Sequence, residues 1–404
     1  MRILQVIPWY APAWGFGGPV KVCQDLSQEL VKKGHKVWVA TTDAYDCATR
    51  VAKRRETLGG VKVRRFANLS PRAAKGANLY LPLGYKGWMQ RNIRRFDLVH
   101  CHAFFTYQNV VAARLCRKEK IPYILHLHES PVPQPLLGKV GVKKTFNALW
   151  GKRLLRGAAK IFVLSEKERK VVARYLPEVA GKLVVVPNSL APGKFRPRPG
   201  TRERLGLKKT DKVILYLGRL SFIKGLDRLI NAFARLQRCS SFGQARLARQ
   251  DTRWQLILAG PDEGGEEARL REQVERLRIE QQVHFLGLVE GERKEDCYAA
   301  ADIFALFSLY ESFSIVTIEA LSHNLPVCLT KEVGIAEEVS GSNCAVLVDR
   351  SGSARRSAGQ LEETYRKRRQ LAQNCPAALK KFDQKTIFAK ILKVYHQVAS
   401  PPCL

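Results

Sequence analysis

Short apolar runs alternate with helix-spaced amphipathic runs along almost the whole chain. That alternation restricts the fold to parallel sheets covered by helices on both faces. In the first half the strand-like runs are ILQVIPW (3–9), HKVWVATT (35–42), FDLVHCH (96–102), IPYILHLH (121–128), AKIFVLS (159–165) and KLVVVPN (182–188). VKVCQDLSQELVKKG (20–34) lies between the first two and places Val22, Leu26 and Leu30 on one helical face. APGKFRPRPGTRER (191–204) then breaks the pattern with Pro, Gly and Arg and reads as a linker. Beyond it the alternation restarts. Strands are predicted at 211–220, 254–261, 282–288, 302–308 and 325–330, and helices at 225–237, 266–278, 292–300 and 314–323. The segment 239–252 reads as a surface insertion, 353–375 as polar helix and 377–399 as a last helix.

A length of 404 residues suits two domains or three. The expected division is an N-terminal Rossmann-like domain over 1–193, a second over 194–376, and a C-terminal helix in 377–404 returning toward the first. Two doubly wound domains present their ligand crevices at the carboxyl ends of the strands. Facing each other, they are expected to share one cleft, so functional residues are sought in loops that come after strands.

The chain carries a formal charge of +33, and the excess is uneven. Residues 1–200 hold 37 Lys and Arg against 11 Asp and Glu, whereas the rest hold 32 against 25. A polyanionic partner is expected, either an anionic membrane face or nucleic acid. No zinc-finger, RNP-type or helix-turn-helix pattern supports nucleic acid. No apolar run is long enough to span a bilayer, and MRILQVIPWY reads as a first buried strand rather than a signal peptide. Ten cysteines occur singly, without a C-x-x-C pair, and suit a reducing cytoplasm.

Four stretches could carry chemistry. In YESFSIVTIEA (310–320) two acids, Glu311 and Glu319, interrupt an apolar run just after a strand. Eight helical residues span about 12 Å, too far for a carboxylate dyad but suited to a ligand lying along a helix start. Exposed N–H groups there favour an anion; alternatively, Glu311 only caps the helix. In YLGRLSFIKGLDRL (216–229) Arg219 and Lys224 come after a strand and suit a diphosphate, or are two solvated cations. Gly17-Gly18-Pro19 lies between a strand and a helix, where backbone can approach a ligand closely, although it is not the dinucleotide fingerprint. His100, His102, His126 and His128 end two strands. Without Cys or carboxylate partners they make a poor zinc signal and a better substrate-binding one.

Together these stretches are familiar. GGPVKVCQDLSQELVKKGHKVWVATT, DLVHCHAFF, VLSEKER, VVPNSLAPGKF, YLGRLSFIKGLDRLINAF, LILAGP, VHFLGLV and ADIFALFSLYESFSIVTIEAL occur in family order. The chain resembles the retaining GT-B glycosyltransferases of family GT4, and the Glu311-to-Glu319 spacing is the most diagnostic element. The resemblance implies an α/β GT-B fold and transfer of a sugar from a nucleotide-diphosphate sugar, with no metal or other cofactor required. It implies that Glu319 binds the ribose and that Glu311 and His128 line the transferred sugar. Arg219 and Lys224 would hold the diphosphate, Phe313, Ser314, Ile315 and Val316 would cradle it through their backbone, and Gly18 would approach donor or acceptor. Ser314 stands where the family usually has Gly, Asn324 replaces another common Gly, and His128-Glu129-Ser130 replaces a common His-Gly.

The acceptor expected for the basic half is lipid-linked or polysaccharide, in cell-surface glycan biosynthesis. VGVKKTFNALWGKRLLRG (140–157) sets Val142, Phe146, Leu149, Trp150 and Leu154 among Lys143, Lys144, Lys152, Arg153 and Arg156. It reads as an interfacial amphipathic helix on the inner face of the cytoplasmic membrane, or as a core-packed helix with a charged outer side. The competing readings are another GT-B enzyme, such as a sugar-nucleotide epimerase, and a basic nucleic-acid-binding protein.

Overall fold

The computed structural model describes residues 1–46, 49–69, 80–190, 198–244 and 253–399. The chain divides into two compact units. One is Met1–Ser189 with Gln384–Leu404; the other is Leu190–Asp383. The boundary read at 193/194 lies outside the described residues, as does most of the 239–252 segment.

The first unit is built on eight strands: β1 (Arg2–Val6), β2 (Lys36–Thr42), β3 (Arg55–Leu58), β4 (Val61–Phe66), β5 (Leu98–His102), β6 (Tyr123–His126), β7 (Lys160–Val163) and β8 (Leu183–Val185). Their order is β3-β4-β2-β1-β5-β6-β7-β8. All neighbours are parallel except the β3–β4 pair. That hairpin was not anticipated, because RETLGGVKVRRF is dominated by charge. Its signals are Gly59-Gly60 at the turn and Val61 and Val63 buried on alternate positions. Strand order reverses between β1 and β5, the place where doubly wound sheets open a crevice.

Three helices of this unit show how sequence sets their ends. α1 (Gly18–Lys32) has Pro in its first turn and buries Val22, Cys23, Leu26 and Leu30. α2 (Tyr107–Lys118) is capped by Thr106, which accepts from the Asn109 N–H. α3 (Glu166–Tyr175) begins in a capping box. Ser165 Oγ accepts from the Glu168 N–H at 3.1 Å, and the Glu168 carboxylate accepts from the Leu164 N–H at 2.6 Å. The C-terminal helix Gln384–Ala399 belongs to this unit and contributes Ile387, Ile391 and Tyr395 to its core.

Glu168 is buried, and desolvation pushes its carboxyl up to about 7. The Leu164 N–H opposes that rise, and Glu129 adds to it. A raised carboxyl means that the folded chain holds a proton the unfolded chain has already released. Stability therefore falls as pH rises from about 4.5 to about 7 and levels off above. Glu168→Gln keeps an acceptor for Leu164 and is expected to be the more stable protein at pH 8, by up to roughly 3 kcal/mol. At pH 4 the two proteins should match. Urea unfolding at both pH values checks this; equal midpoints at pH 8 would contradict it.

The second unit is a six-stranded parallel sheet: β9 (Lys212–Leu217), β10 (Trp254–Ala259), β11 (Val283–Gly287), β12 (Ile303–Leu306), β13 (Val327–Thr330) and β14 (Ala345–Val348). The order β11-β10-β9-β12-β13-β14 again reverses next to its first strand, between β9 and β12. Its central strands are apolar on both faces, as helices on both sides require. α4 (Leu226–Gln244) comes after β9 and runs past the end read at 237. α5 (Gly291–Ala300) precedes β12, and α6 (Ile315–Ser322) comes after it.

The 140–157 segment is helical but not one amphipathic cylinder. A π-turn at Asn147–Gly151 interrupts it and rotates the faces on either side. Val142, Leu149 and Trp150 are exposed, whereas Leu154 is buried and Phe146 packs on Phe104 and Phe105. The five apolar residues therefore do not form a single stripe. Cys23, Cys101, Cys116, Cys297, Cys328, Cys344 and Cys375 are free and buried.

Candidate active site

In the second unit the reversal point brings together the loops at the carboxyl ends of β9 and β12. After β9 come Gly218 and Arg219, then a 3-10 turn, Phe222–Lys224. The buried Tyr216 hydroxyl donates to the Arg219 carbonyl at 2.7 Å and pins that backbone. The Leu309 N–H, just past β12, donates to the Ile223 carbonyl at 2.8 Å and ties the turn carrying Lys224 to the loop carrying Glu311. Gly225 closes the turn at φ +61°, so near the Phe307 carbonyl that an added Cβ would lie 2.2 Å from its oxygen. Only glycine permits that approach.

Lys224 Nζ donates to Glu311 Oε2, and both side chains are largely sheltered. Glu311 therefore engages a cation and does not cap the helix. Arg219 differs: it is half-exposed and pairs with Glu263. Sequence reading missed Glu263, which lies 44 residues from Arg219 in the chain. Phe313 and Ser314 are buried. Ser314 sits at the start of α6 in the left-handed region, φ +90°, where glycine is the comfortable residue. Its hydroxyl bonds Thr317 Oγ1 at 2.7 Å rather than a backbone N–H, so no side chain among the described residues caps α6. The first-turn amides of Ile315 and Val316 are thus left for another acceptor. Asn324, the other replacement of a family Gly, is also left-handed at φ +54°.

Glu319, in the second turn of α6, accepts from Lys294 Nζ at 2.7 Å and from the Tyr298 hydroxyl at 2.9 Å. Burial, with Glu319 beside it, raises the Tyr298 phenol far above its usual range and keeps it a donor. Tyr298 also stacks on His323 at 4.6 Å, and His323 Nε2 meets Glu295 at 2.7 Å. Lys294 and Tyr298 were not anticipated. Their i,i+4 spacing on α5 was legible, but nothing in the sequence aims that face at Glu319.

In the first unit, Gly18 is the first residue of α1, preceded by Gly17 at φ +84°. The four histidines lie close together at the carboxyl ends of β5 and β6, but three are not accessible to a substrate. His100, His102 and His126 are 0–1% exposed. The alternation that aims each pair to one face aims it inward, against Phe162 and Tyr395. Burial holds all four imidazoles neutral, His128 down to about 3. His100, His102 and His126 offer nitrogens within 4.8 Å of one another, yet both His102 nitrogens are already hydrogen-bonded.

His128 alone faces a recess, which it lines with Trp9, Pro19, Tyr80, Phe105 and Glu129. It is held at φ +54°, a strained conformation for a residue with a Cβ. The neighbouring Glu129 pairs with Lys143, which lies 5.1 Å over the Phe105 ring.

Two family models match consecutive stretches. The one described as Glycosyltransferase Family 4 matches residues 16–192, and the one described as Glycosyl transferases group 1 matches 197–382. The chain belongs to the GT4-type, GT-B glycosyltransferases. This glycosyltransferase is 26% identical over 353 residues to an uncharacterized glycosyltransferase of Methanocaldococcus jannaschii, covering 84% of each chain. It is 27% identical over 369 residues to the D-inositol 3-phosphate glycosyltransferase of Kineococcus radiotolerans, covering 86% of this chain and 79% of that one. Among solved structures, sucrose-phosphate synthase from Thermosynechococcus elongatus superposes with a TM-score of 0.76 at 19% identity, over 98% and 99% of the two chains. HepE of Anabaena, in complex with UDP and glucose, superposes with 0.74 at 21%, over 98% and 100%. At such identities the likeness establishes the fold: two Rossmann-like, parallel-sheet units of the GT-B class. The enzyme is a transferase that uses nucleotide sugars.

Proposed function

We propose that this glycosyltransferase moves a sugar from a nucleotide-diphosphate donor to a lipid-linked or polysaccharide acceptor in cell-surface glycan synthesis, with retention and without a metal. The observation that carries the reading is the uncapped start of α6 beside Lys224, with Glu319 one turn further along the same helix. A diphosphate at the helix start meets free amides and a cation, and a ribose then reaches Glu319. Lys294 and Tyr298 hold that carboxylate in place. Arg219 and Lys224 take the diphosphate, and the backbone of Phe313, Ser314, Ile315 and Val316 lies along it. Within the second unit Glu311 lines the sugar; within the first, His128 meets a sugar from its own recess, and Gly18 lets backbone approach a reacting partner.

The bond from the anomeric carbon to phosphate oxygen breaks with its electron pair going to the diphosphate. Lys224, Arg219 and the helix start stabilise the charge that develops. The acceptor oxygen bonds the anomeric carbon from the same face, and its proton passes to a leaving-group phosphate oxygen. UDP-sugars are the first donors to try, since HepE, a fold neighbour, was solved with UDP-glucose. Val142, Leu149 and Trp150, exposed among Lys139, Lys144, Lys152 and Arg153, support attachment to an anionic inner membrane face. No helix among the described residues is long and apolar enough to cross a membrane.

The test is a metal-free thermal-shift panel of UDP-, GDP- and ADP-sugars. A donor at 100 times its Kd stabilises the native state by about 2.7 kcal/mol. One nucleotide class should raise Tm, and Glu319→Ala, compared with its own unliganded Tm, should abolish the rise. If no nucleotide shifts Tm while RNA or anionic vesicles do, the proposal fails.

A further inference from the structure

A single chain of hydrogen bonds runs through the buried polar layer of the first unit and ends at His128. The Tyr395 hydroxyl lies 2.5 Å from His100 Nδ1. Gln5 Nε2 donates to the Tyr395 oxygen at 3.4 Å, and Gln5 Oε1 lies 2.8 Å from His102 Nε2. His102 Nδ1 lies 2.9 Å from His128 Nε2. His128 Nδ1 has no partner among the described residues, and the side chain lines the recess. Each member is buried, so water does not blur the direction of the chain.

A neutral imidazole carries one N–H and one lone pair, so fixing one nitrogen fixes the other. Gln5 Oε1 only accepts. His102 therefore carries its hydrogen on Nε2, and its Nδ1 is a lone pair. That lone pair takes the His128 Nε2–H, which leaves His128 Nδ1 as a bare acceptor. At the other end, Gln5 Nε2 occupies the Tyr395 oxygen, and the Tyr395 hydroxyl donates to His100 Nδ1. Turning the Gln5 amide over reverses every step: His102 then carries its hydrogen on Nδ1, and His128 presents an N–H to the recess. The whole chain has two consistent directions, and the amide of Gln5 selects between them.

We propose that Gln5, anchored by Tyr395, is a positioning residue that sets the tautomer of His128 so that its Nδ1 accepts a hydrogen bond from a sugar hydroxyl. The proposal rests on the reading that His128 lines the transferred sugar. Gln5 is in β1 and Tyr395 is in the C-terminal helix, so neither touches substrate. A His128 that accepts requires a hydroxyl donor on the sugar, and a sugar lacking that hydroxyl leaves a buried lone pair unpaired.

The test reads the tautomer directly. Protein labelled with ¹⁵N-histidine, free of ligand, is examined by long-range ¹H–¹⁵N correlation, with His128 identified by the signal lost in His128→Asn. The expected result is an unprotonated Nδ1 in wild type. In Gln5→Met, which keeps the volume and removes the acceptor, His102 is released and the His128 Nδ1 signal moves toward the protonated form. Tyr395→Phe, a milder change, should move it the same way. For donor turnover, Gln5→Met should lower kcat about tenfold while donor KM changes by about twofold or less. Gln5→Glu still offers His102 an acceptor oxygen, so it should retain the wild-type signal and recover kcat. A protonated His128 Nδ1 in wild type would overturn the proposal. So would an unchanged signal in both Gln5→Met and Tyr395→Phe, or a shifted tautomer with unchanged kcat. If no nucleotide sugar binds wild type, the functional reading fails by itself, and the spectra alone decide the tautomer.

Discussion

Lys224→Met is expected to lower kcat by about 10²–10³-fold, the usual loss when one preorganised charge at a developing anion is removed. Lys224 is not a loose surface cation. Its side chain is sheltered, it pairs with Glu311, and its turn is bonded to the backbone just past β12. A cation held this way needs little rearrangement to meet a departing diphosphate. Lys224→Arg keeps the charge and should recover part of the rate. Arg219→Met should cost less, because that side chain is half-exposed and paired with Glu263 in solvent. The measurement is steady-state release of nucleoside diphosphate from the donor that the thermal-shift panel selects. A Lys224→Met enzyme within about threefold of wild type would remove Lys224 from the leaving-group site, given the size of effect expected there.

The second large effect falls on stability. Gly225→Ala is expected to cost about 3 kcal/mol or more. Two penalties combine: a left-handed backbone for a residue with a Cβ, and a Cβ forced to within 2.2 Å of the Phe307 carbonyl oxygen. That oxygen belongs to the backbone and cannot swing away. Gly265→Ala separates the two contributions, because Gly265 is also left-handed, at φ +81°, but has open space where its Cβ would go. It should cost only the conformational penalty, about 1–2 kcal/mol. Urea midpoints of the two variants measure the difference. Equal losses would mean that the crowding at Phe307 relaxes at no cost. A shifted turn also displaces Lys224, so Gly225→Ala should lose donor turnover beyond what its folded fraction explains.

The architecture was legible because the central strands of the second unit are buried on both faces. WQLILA and IFAL have no polar alternation to confuse them with an exposed sheet. The β3–β4 hairpin was not, because Arg55, Lys62, Arg64 and Arg65 mask the two valines. Even so, Arg65 is fully buried, held by Glu56 and by the Lys53 and Ala11 carbonyls. In the candidate site, Glu311, Glu319, Arg219 and Lys224 stood out as charges beside strand ends. Their partners did not, since Glu263, Lys294 and Tyr298 are brought in by packing between helices and loops that are distant in sequence. The histidines are the clearest case. Spacing identified two pairs on strand ends, but only tertiary burial turned three of them into core. Gln5, in the middle of an apolar strand, carried no signal beyond its polarity.

The membership of the C-terminal helix has a consequence for how the protein is made. Ile387, Ile391 and Tyr395 complete the core of a unit whose other residues end at Ser189, with 194 residues, 190–383, synthesised in between. At roughly 5–20 residues per second, a ribosome takes on the order of 10–40 s to bridge that gap. Through that interval the second unit can finish its sheet, while the first holds Leu98, Ile124 and Phe162 without their cover. The first domain to be translated is thus the last to be completed.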